Sequence, residues 1–375
     1  MKKIQMVDLH GQYLKIKTEI DNAIQQVINS TSFVKGPIVK EFEDDLAKYL
    51  NVKNIIACAN GTDALQIAMM ALGLKPGDEV ITANFTFIAT VEVIALLGLT
   101  PVLIDVDPET FLITPKKIEE AITPKTKAIV PVHLFGQNCD MEKINEIAKK
   151  HNIYVIEDAA QSIGSDYIFS DMRTFKSGTI GDIGCTSFFP SKNLGCYGDG
   201  GALFTNNNDL ATIIKSIANH GMEKKYHHDR IGVNSRLDGI QAAILKEKLK
   251  YLNEYCQARQ KVADFYDREL SRISEIQIPK RGNNSSHVFH QYTLKVAKNL
   301  RNKLKEYLAK HNIPSMIYYP IPLHKQNAFQ KFGSSKLEYP VSGKLAETVL
   351  SLPIHTEMDI EQLKYITSTI TKFFD

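Results

Sequence analysis

The chain has 375 residues, of which 43% are hydrophobic and 23% charged, an ordinary balance for a globular protein long enough to bury a large core in two lobes. Its 45 basic and 42 acidic residues leave a net charge of +3 with no basic stripe, which argues against a nucleic-acid binder, and Lys224-Lys225 reads as a solvated loop. The five cysteines (Cys58, Cys139, Cys185, Cys196 and Cys256) are odd in number and form no C-x-x-C pair, which excludes a disulfide frame or a zinc site and suits reduced thiols in a cytoplasmic protein.

The N-terminus starts basic, but Asp8 and His10 break any apolar run, so no signal peptide is expected there. No window approaches the ~18 apolar residues of a membrane span. Seven apolar, β-branched segments then follow: Ile55–Ala59, Glu79–Ala83, Pro101–Val106, Ala128–Leu134, Tyr154–Ala159, Ile183–Phe189 and Ala202–Thr205. Most are continuous apolar runs, as expected for strands covered on both faces of a mostly parallel sheet. Helical patterns lie between the earlier ones, at Thr62–Leu74 (with Leu65, Met69 and Leu72 on one face), Thr86–Leu97 and Met141–His151. This alternation predicts an α/β domain. The last two strands have no helix between them, which predicts a hairpin or a reversed strand.

After Asn234 the pattern changes. Leu237–Leu270 reads as one long helix with Ile240, Ile244, Leu249 and Leu252 on its buried stripe. It carries the chain out of a large domain, residues 1–245, into a smaller α+β C-terminal domain, residues 246–375. The latter is predicted to hold a polar loop (Ile276–Ser286), a strand (Gln291–Val296), a helix (Leu300–His311), a further short strand and a final helix from about Asp359.

Three segments carry candidate chemistry. In Ala59-Asn60-Gly61-Thr62-Asp63-Ala64-Leu65 a strand ends, a glycine turns and a helix begins. Thr62 suits an N-cap, and the free N–H groups of a helix start bind phosphate. In Tyr154-Val155-Ile156-Glu157-Asp158 an apolar strand ends on an aspartate, with Gln161 three residues on. In Ser187-Phe188-Phe189-Pro190-Ser191-Lys192 a lysine follows a strand and precedes Gly195, Gly198, Gly200 and Gly201, implying tight backbone against a ligand. Taken singly, these are also what helix caps, strand ends and surface lysines look like. Together, Lys192 and Asp158 make the working pair of a pyridoxal phosphate (PLP) enzyme. A desolvated lysine binds the cofactor aldehyde, and a carboxylate keeps the pyridine nitrogen protonated. Gln161 would reach the ring hydroxyl, Ser187 the phosphate, and Phe87 the ring face. Arg236 offers a planar fork to phosphate or carboxylate, and His324 ends the rigid stretch Tyr318-Tyr319-Pro320-Ile321-Pro322-Leu323. No G-x-G-x-x-G follows a first strand, and neither G-x-x-x-x-G-K-[ST] nor H-E-x-x-H occurs, so a dinucleotide enzyme, a P-loop and a zincin are not indicated, and no metal is expected.

In this order, Asn60–Leu65, Phe85–Thr90, Val132–Gly136, Glu157–Ser162, Ser187–Gly201, Asn234–Asp238 and Tyr319–His324 resemble the DegT/StrS-type nucleotide-sugar aminotransferases over nearly the whole chain. The resemblance implies a fold-type I PLP transferase with a seven-stranded sheet, a homodimer with shared active sites, and PLP as cofactor. It implies that Lys192 is the Schiff-base lysine, Asp158 the pyridine partner, Gln161 the ring-hydroxyl contact, Gly61, Thr62 and Ser187 phosphate binders, and Phe87 the stacking residue. Asn234 matches a residue that reaches the neighbouring subunit's cofactor phosphate. Arg236, Tyr319 and His324 match contacts to the sugar nucleotide. One branch of the family carries histidine in place of the lysine and deoxygenates its substrate; Lys192 favours amino transfer. The stretch Phe188–Ala202 is most similar to enzymes acting on UDP-2-acetamido-2-deoxy-3-oxo-glucuronate with L-glutamate as donor, which serve surface-polysaccharide (lipopolysaccharide or O-antigen) biosynthesis. Asn193 stands where that subgroup carries proline. A dTDP- or UDP-linked keto-6-deoxy sugar, or a PLP-dependent sugar dehydratase, is the alternative.

Overall fold

The computed structural model describes residues 3–332 and 338–375. Its centre is a seven-stranded sheet. Across the sheet the strands run Asn54–Cys58, Gly201–Thr205, Ile183–Ser187, Tyr154–Asp158, Thr126–Val130, Glu79–Ala83 and Thr100–Ile104. Six are mutually parallel, and Gly201–Thr205 is antiparallel to both of its neighbours, so the connection predicted to reverse does so. Successive side chains of a strand point to opposite faces. Here Val80, Val130, Ile156 and Ile183 enter one core, while Ile81, Ile129 and Val155 enter the other. Both faces are therefore dry, which is why the strands read as continuous apolar runs.

The helix predicted over Leu237–Leu270 is instead two, Gly239–Leu249 and Leu252–Leu270, broken at Lys250 and Tyr251. The break lets one stretch of sequence serve two cores. Leu245, Leu249, Leu252 and Cys256 pack with Phe188 and Leu194 beneath the lysine-bearing turn, whereas Val262, Tyr266 and Leu270 join the C-terminal core. The helix predicted from Thr86 starts only at Ala89, leaving Thr86–Ile88 as a loop. Three N-terminal helices carried no sequence prediction: Leu9–Lys15, Lys17–Ser30 and Pro37–Leu50. Phe42 of the third meets Phe188 edge-on at 5.5 Å, so this helix helps to floor the turn that presents Lys192.

The C-terminal part is a three-stranded antiparallel sheet of Ile276–Gln277, Tyr292–Val296 and Val349–Leu352. Leu252–Leu270, Lys298–Lys310 and Ile360–Phe374 pack on it around Tyr266, Tyr292, Leu304, Leu350 and Ile366. The last helix is capped by Asp359 and Gln362 reciprocally.

Candidate active site

Parallel strands end on the same side of a sheet, and in such sheets ligands collect there. Tyr154–Asp158 and Ile183–Ser187 run parallel with Asp158 opposite Cys185, so Asp158 and Ser187 reach the same edge. A cavity of about 670 Å³ opens there. Of the predicted residues, Gly61, Thr62, Phe87, Asp158, Gln161, Ser187, Lys192 and Tyr319 all line it.

Neighbouring carboxylates in the aspartate strand face opposite ways. Glu157 is sealed and takes N–H donors from Gly178 (3.0 Å), Ile180 (2.6 Å) and Gly181 (2.6 Å). His133 lies 2.9 Å from it, and since its Nδ1 accepts the Cys139 N–H at 3.1 Å, its Nε2 carries the proton that Glu157 accepts. Glu157 has no capacity left for a ligand. Asp158 faces the cavity and is 6% exposed. Thr90 Oγ1 donates to its Oδ2 at 2.7 Å and the Ala160 N–H to its Oδ1 at 3.2 Å. These two bonds fix the carboxylate while leaving acceptor sites open.

Lys192 stands in a turn pinned by its own N–H to Phe189 O (2.8 Å), by Cys196 N–H to Phe188 O (2.8 Å) and by Phe188 N–H to Gly200 O (2.7 Å). The buried Lys248 ammonium donates to the Gly195 carbonyl. Burial pushes the Lys192 amine down to about 8, with the Asp158 charge acting in the opposite direction. The glycines after it are compact because of protein packing: Gly195 and Gly201 lie against backbone, and Gly198 and Gly200 against the side chains of Gln241, Leu237, Cys196 and Phe188. A Cβ at Gly195 would sit 2.3 Å from Pro190 O, and one at Gly201 2.4 Å from the Asn60 carbonyl carbon. Asn193, where proline was expected, donates to Val288 O at 2.9 Å and so ties the turn to the C-terminal part.

On the opposite wall the helix Gly61–Ala71 begins. Its cap is Asn60, not the predicted Thr62: Asn60 is extended and its Oδ1 accepts the Asp63 N–H at 2.8 Å. Thr62 is thus a first-turn residue lining the cavity. A Cβ at Gly61 would lie 2.7 Å from Ser187 Cβ, so glycine is what lets the helix start and Ser187 close together on one anion-sized corner. Gln161 uses its Oε1 to accept the Phe135 N–H (2.8 Å) and its Nε2 to donate to the Tyr319 hydroxyl (3.2 Å). Phe87 is half exposed at the rim, 6.1 Å from the Tyr319 ring.

Asn234, Arg236 and His324 do not line this cavity. Asn234 is exposed and its backbone bridges to Asn219. His324 is buried: its N–H donates to Asn84 Oδ1 at 2.9 Å and its Nδ1 sits 2.9 Å from the Asn84 amide nitrogen. Tyr318, in the predicted rigid stretch, also lines the cavity, whereas Thr86, His290 and Gln291 carried no role in the sequence reading. Thr86 is a hydroxyl beside Phe87 in the segment Phe85–Thr90, which gave a role to Phe87 alone, and His290 precedes a strand as any buried histidine might. Thr90, the partner of Asp158, falls where a helix residue was expected, and only the pairing across 68 positions gives it meaning.

The chain matches the model of the DegT/DnrJ/EryC1/StrS aminotransferase family over residues 14–371. It is 48% identical over 368 residues to the UDP-2-acetamido-2-deoxy-3-oxo-D-glucuronate aminotransferase of Pseudomonas aeruginosa, covering 98% of this chain and 99% of that one. It is 42% identical over 369 residues to a UDP-N-acetyl-3-dehydro-alpha-D-glucosamine 3-aminotransferase of Acidithiobacillus ferrooxidans, covering 98% and 97%. Among solved structures, S. venezuelae DesV in complex with a ketimine intermediate superposes with a TM-score of 0.95 at 33% identity, covering 100% of this chain and 99% of that one. With a family model spanning nearly the whole chain and relatives of this identity matched end to end, the protein belongs to the DegT/DnrJ/EryC1/StrS aminotransferase family.

Proposed function

We propose that the protein is a PLP-dependent aminotransferase that moves an amino group from L-glutamate to the keto group of a nucleotide sugar, UDP-2-acetamido-2-deoxy-3-oxo-glucuronate. The observation that carries the reading is Lys192 facing Asp158 in one cavity, its amine lowered to about 8 by burial. The cavity suits the cofactor. The corner of Gly61, Thr62 and Ser187 takes a phosphate, and the buried Thr86 Oγ1 has no partner among the described residues, as expected of a group that a ligand satisfies. When bound, PLP supplies an electron sink for the α-carbon of the amino donor.

The chain's own residues divide the work. Lys192 would hold the cofactor through its aldehyde, and its free amine would move a proton at the donor's α-carbon. Asp158, steadied by Thr90, holds the ring nitrogen protonated. Gln161, whose amide donates to the Tyr319 hydroxyl, would meet the ring hydroxyl, and Phe87 would cover one face. Arg236, Tyr319 and His324 would serve the sugar nucleotide, and Asn234 would reach the phosphate of a second subunit, which fits its position outside its own cavity. The site is therefore shared within a homodimer, and residues 1–245 and 246–375 form its large and small domains. We place the enzyme in the cytoplasm, supplying an amino sugar for lipopolysaccharide or O-antigen; no helix among the described residues is long and apolar enough to cross a membrane.

The 48% identity to the Pseudomonas enzyme over both full lengths supports a 3-oxo uronate. Lysine at 192 supports amino transfer over deoxygenation. The test offers purified enzyme and glutamate to 3-keto and 4-keto nucleotide sugars, each as uronate and 6-deoxy forms, with products identified by mass spectrometry and NMR. A 3-amino uronate is expected. Exclusive turnover of a 4-keto sugar would overturn the substrate, and no dependence on an amino donor would overturn the reaction.

A further inference from the structure

His290 lines the cavity, is 6% exposed, and no role follows for it from the residues above. Among the described residues its Nδ1 is sealed and has no partner, and its Nε2 makes no hydrogen bond yet is not sealed. A buried N–H without an acceptor is less tolerable than a buried bare lone pair. The proton therefore belongs on Nε2, the nitrogen open to the cavity.

The surroundings of this N–H are cationic. Lys192 stands near it, and behind it the buried Arg259 guanidinium donates from one nitrogen to Phe289 O (3.1 Å), His290 O (3.3 Å) and Ile354 O (3.1 Å). Arg259 has no carboxylate partner among the described residues, and its Nε is unpartnered. Burial and these two cations together push the His290 imidazole well below its ordinary range, so it is a neutral donor in a positive field. The Arg259 bonds also fix the backbone that aims the ring. The complement to such a group is an anionic oxygen.

We propose that His290 binds a carboxylate of the substrate, donating from Nε2 beside Lys192. The inference rests on the aminotransferase reading and deepens it. Both proposed substrates bring the chemistry: the amino donor has a carboxylate on its reacting carbon, and a uronate has one on its sugar.

The test uses the PLP-loaded enzyme. His290→Phe keeps a flat ring without the donor, and His290→Gln restores an N–H near the Nε2 position. Affinities are read from the visible absorbance on titration with glutamate and with the unreactive dicarboxylate maleate. The pyridoxamine form is then titrated with the keto uronate nucleotide and with its neutral, non-acid counterpart. The phenylalanine variant is expected to weaken carboxylate binding about ten- to hundredfold, the loss of one charge-assisted hydrogen bond, with the glutamine variant within about threefold of wild type. A loss confined to glutamate and maleate assigns the donor's carboxylate. A loss for the uronate but not its neutral counterpart assigns the sugar's. Unchanged affinities, or an equal loss for the neutral sugar, overturn the proposal. If the phenylalanine variant does not fold, His290→Ala is read in the same way, with restoration by added imidazole expected. Borohydride reduction and peptide mapping keep the two levels apart: absence of a pyridoxyl group on Lys192 removes the underlying reading, whereas its presence with unchanged carboxylate affinities removes only the role of His290.

Discussion

At the scale of single residues the site works through contrasts that adjacent positions create. Glu157 and Asp158 share a strand and a charge, but one is consumed by three backbone N–H groups and a histidine while the other keeps open lone pairs toward Lys192. Burial disfavours the ammonium form of the lysine, and Asp158 moderates that effect. The sign gives a measurable consequence. A lysine lowered to about 8 is neutral above that pH and protonated below it. The rate at which apoprotein captures PLP should therefore rise about tenfold per pH unit up to about 8 and then level, whereas an ordinary lysine would keep rising toward its usual range. Asp158→Asn removes the charge that raises the amine, so its bend should move to lower pH. Stopped-flow absorbance across the pH series checks both, and a wild-type bend near 10 would show that Lys192 is not desolvated as described.

At the scale of elements, the helix start at Gly61 joins stability to binding. Asn60 caps it through the Asp63 N–H, and Thr62 lies in the first turn on the cavity wall. Asn60→Ala should destabilise the apoprotein by about 1 kcal/mol, the usual effect of losing a cap. Thr62→Ala should leave stability unchanged but weaken PLP retention by several-fold if its hydroxyl is the phosphate donor proposed. Denaturant unfolding and equilibrium dialysis separate the two effects; destabilisation by Thr62→Ala with none by Asn60→Ala would reverse the assignment of the cap. This helix start also marks the boundary of what the sequence could reveal. The strand was legible because both of its faces are dry, and so was the turn, from its glycine. Which of two good capping residues wins depends on Asn60 being extended and on Gly201 packing against its carbonyl, a contact across 141 positions. The break at Lys250 and Tyr251 was hidden for a similar reason: neither residue is a helix breaker, and only the existence of two separate cores requires the chain to turn there.

At the scale of the whole molecule, the cavity is built from segments throughout the chain, from Asn60 to Tyr319. Motif order revealed Asp158, Ser187, Gly61 and Lys192, which end a strand, open a helix or stand in the turn just beyond a strand, on one edge of one sheet. It did not reveal Thr90, Thr86 or His290, whose side chains acquire meaning only from partners, or missing partners, supplied by the fold. Asn234 stands at the opposite limit: its motif is clear, yet its side chain is exposed and outside its own cavity. A homodimer resolves this if each Asn234 completes the other subunit's site, and subunit mixing tests it. Lys192→Ala and Asn234→Ala should each be severely impaired alone. Unfolded together in equal amounts and reassembled, half of the dimers would be mixed by chance. Each mixed dimer would pair one intact Lys192 with the neighbour's intact Asn234, and its other site would lack both. Activity should thus return to about a quarter of wild type. If Asn234 instead served its own subunit, every site would carry one lesion or the other and mixing would restore nothing. Recovery near a quarter, measured against the two variants refolded separately, is the expected outcome; none would place Asn234 outside a shared site.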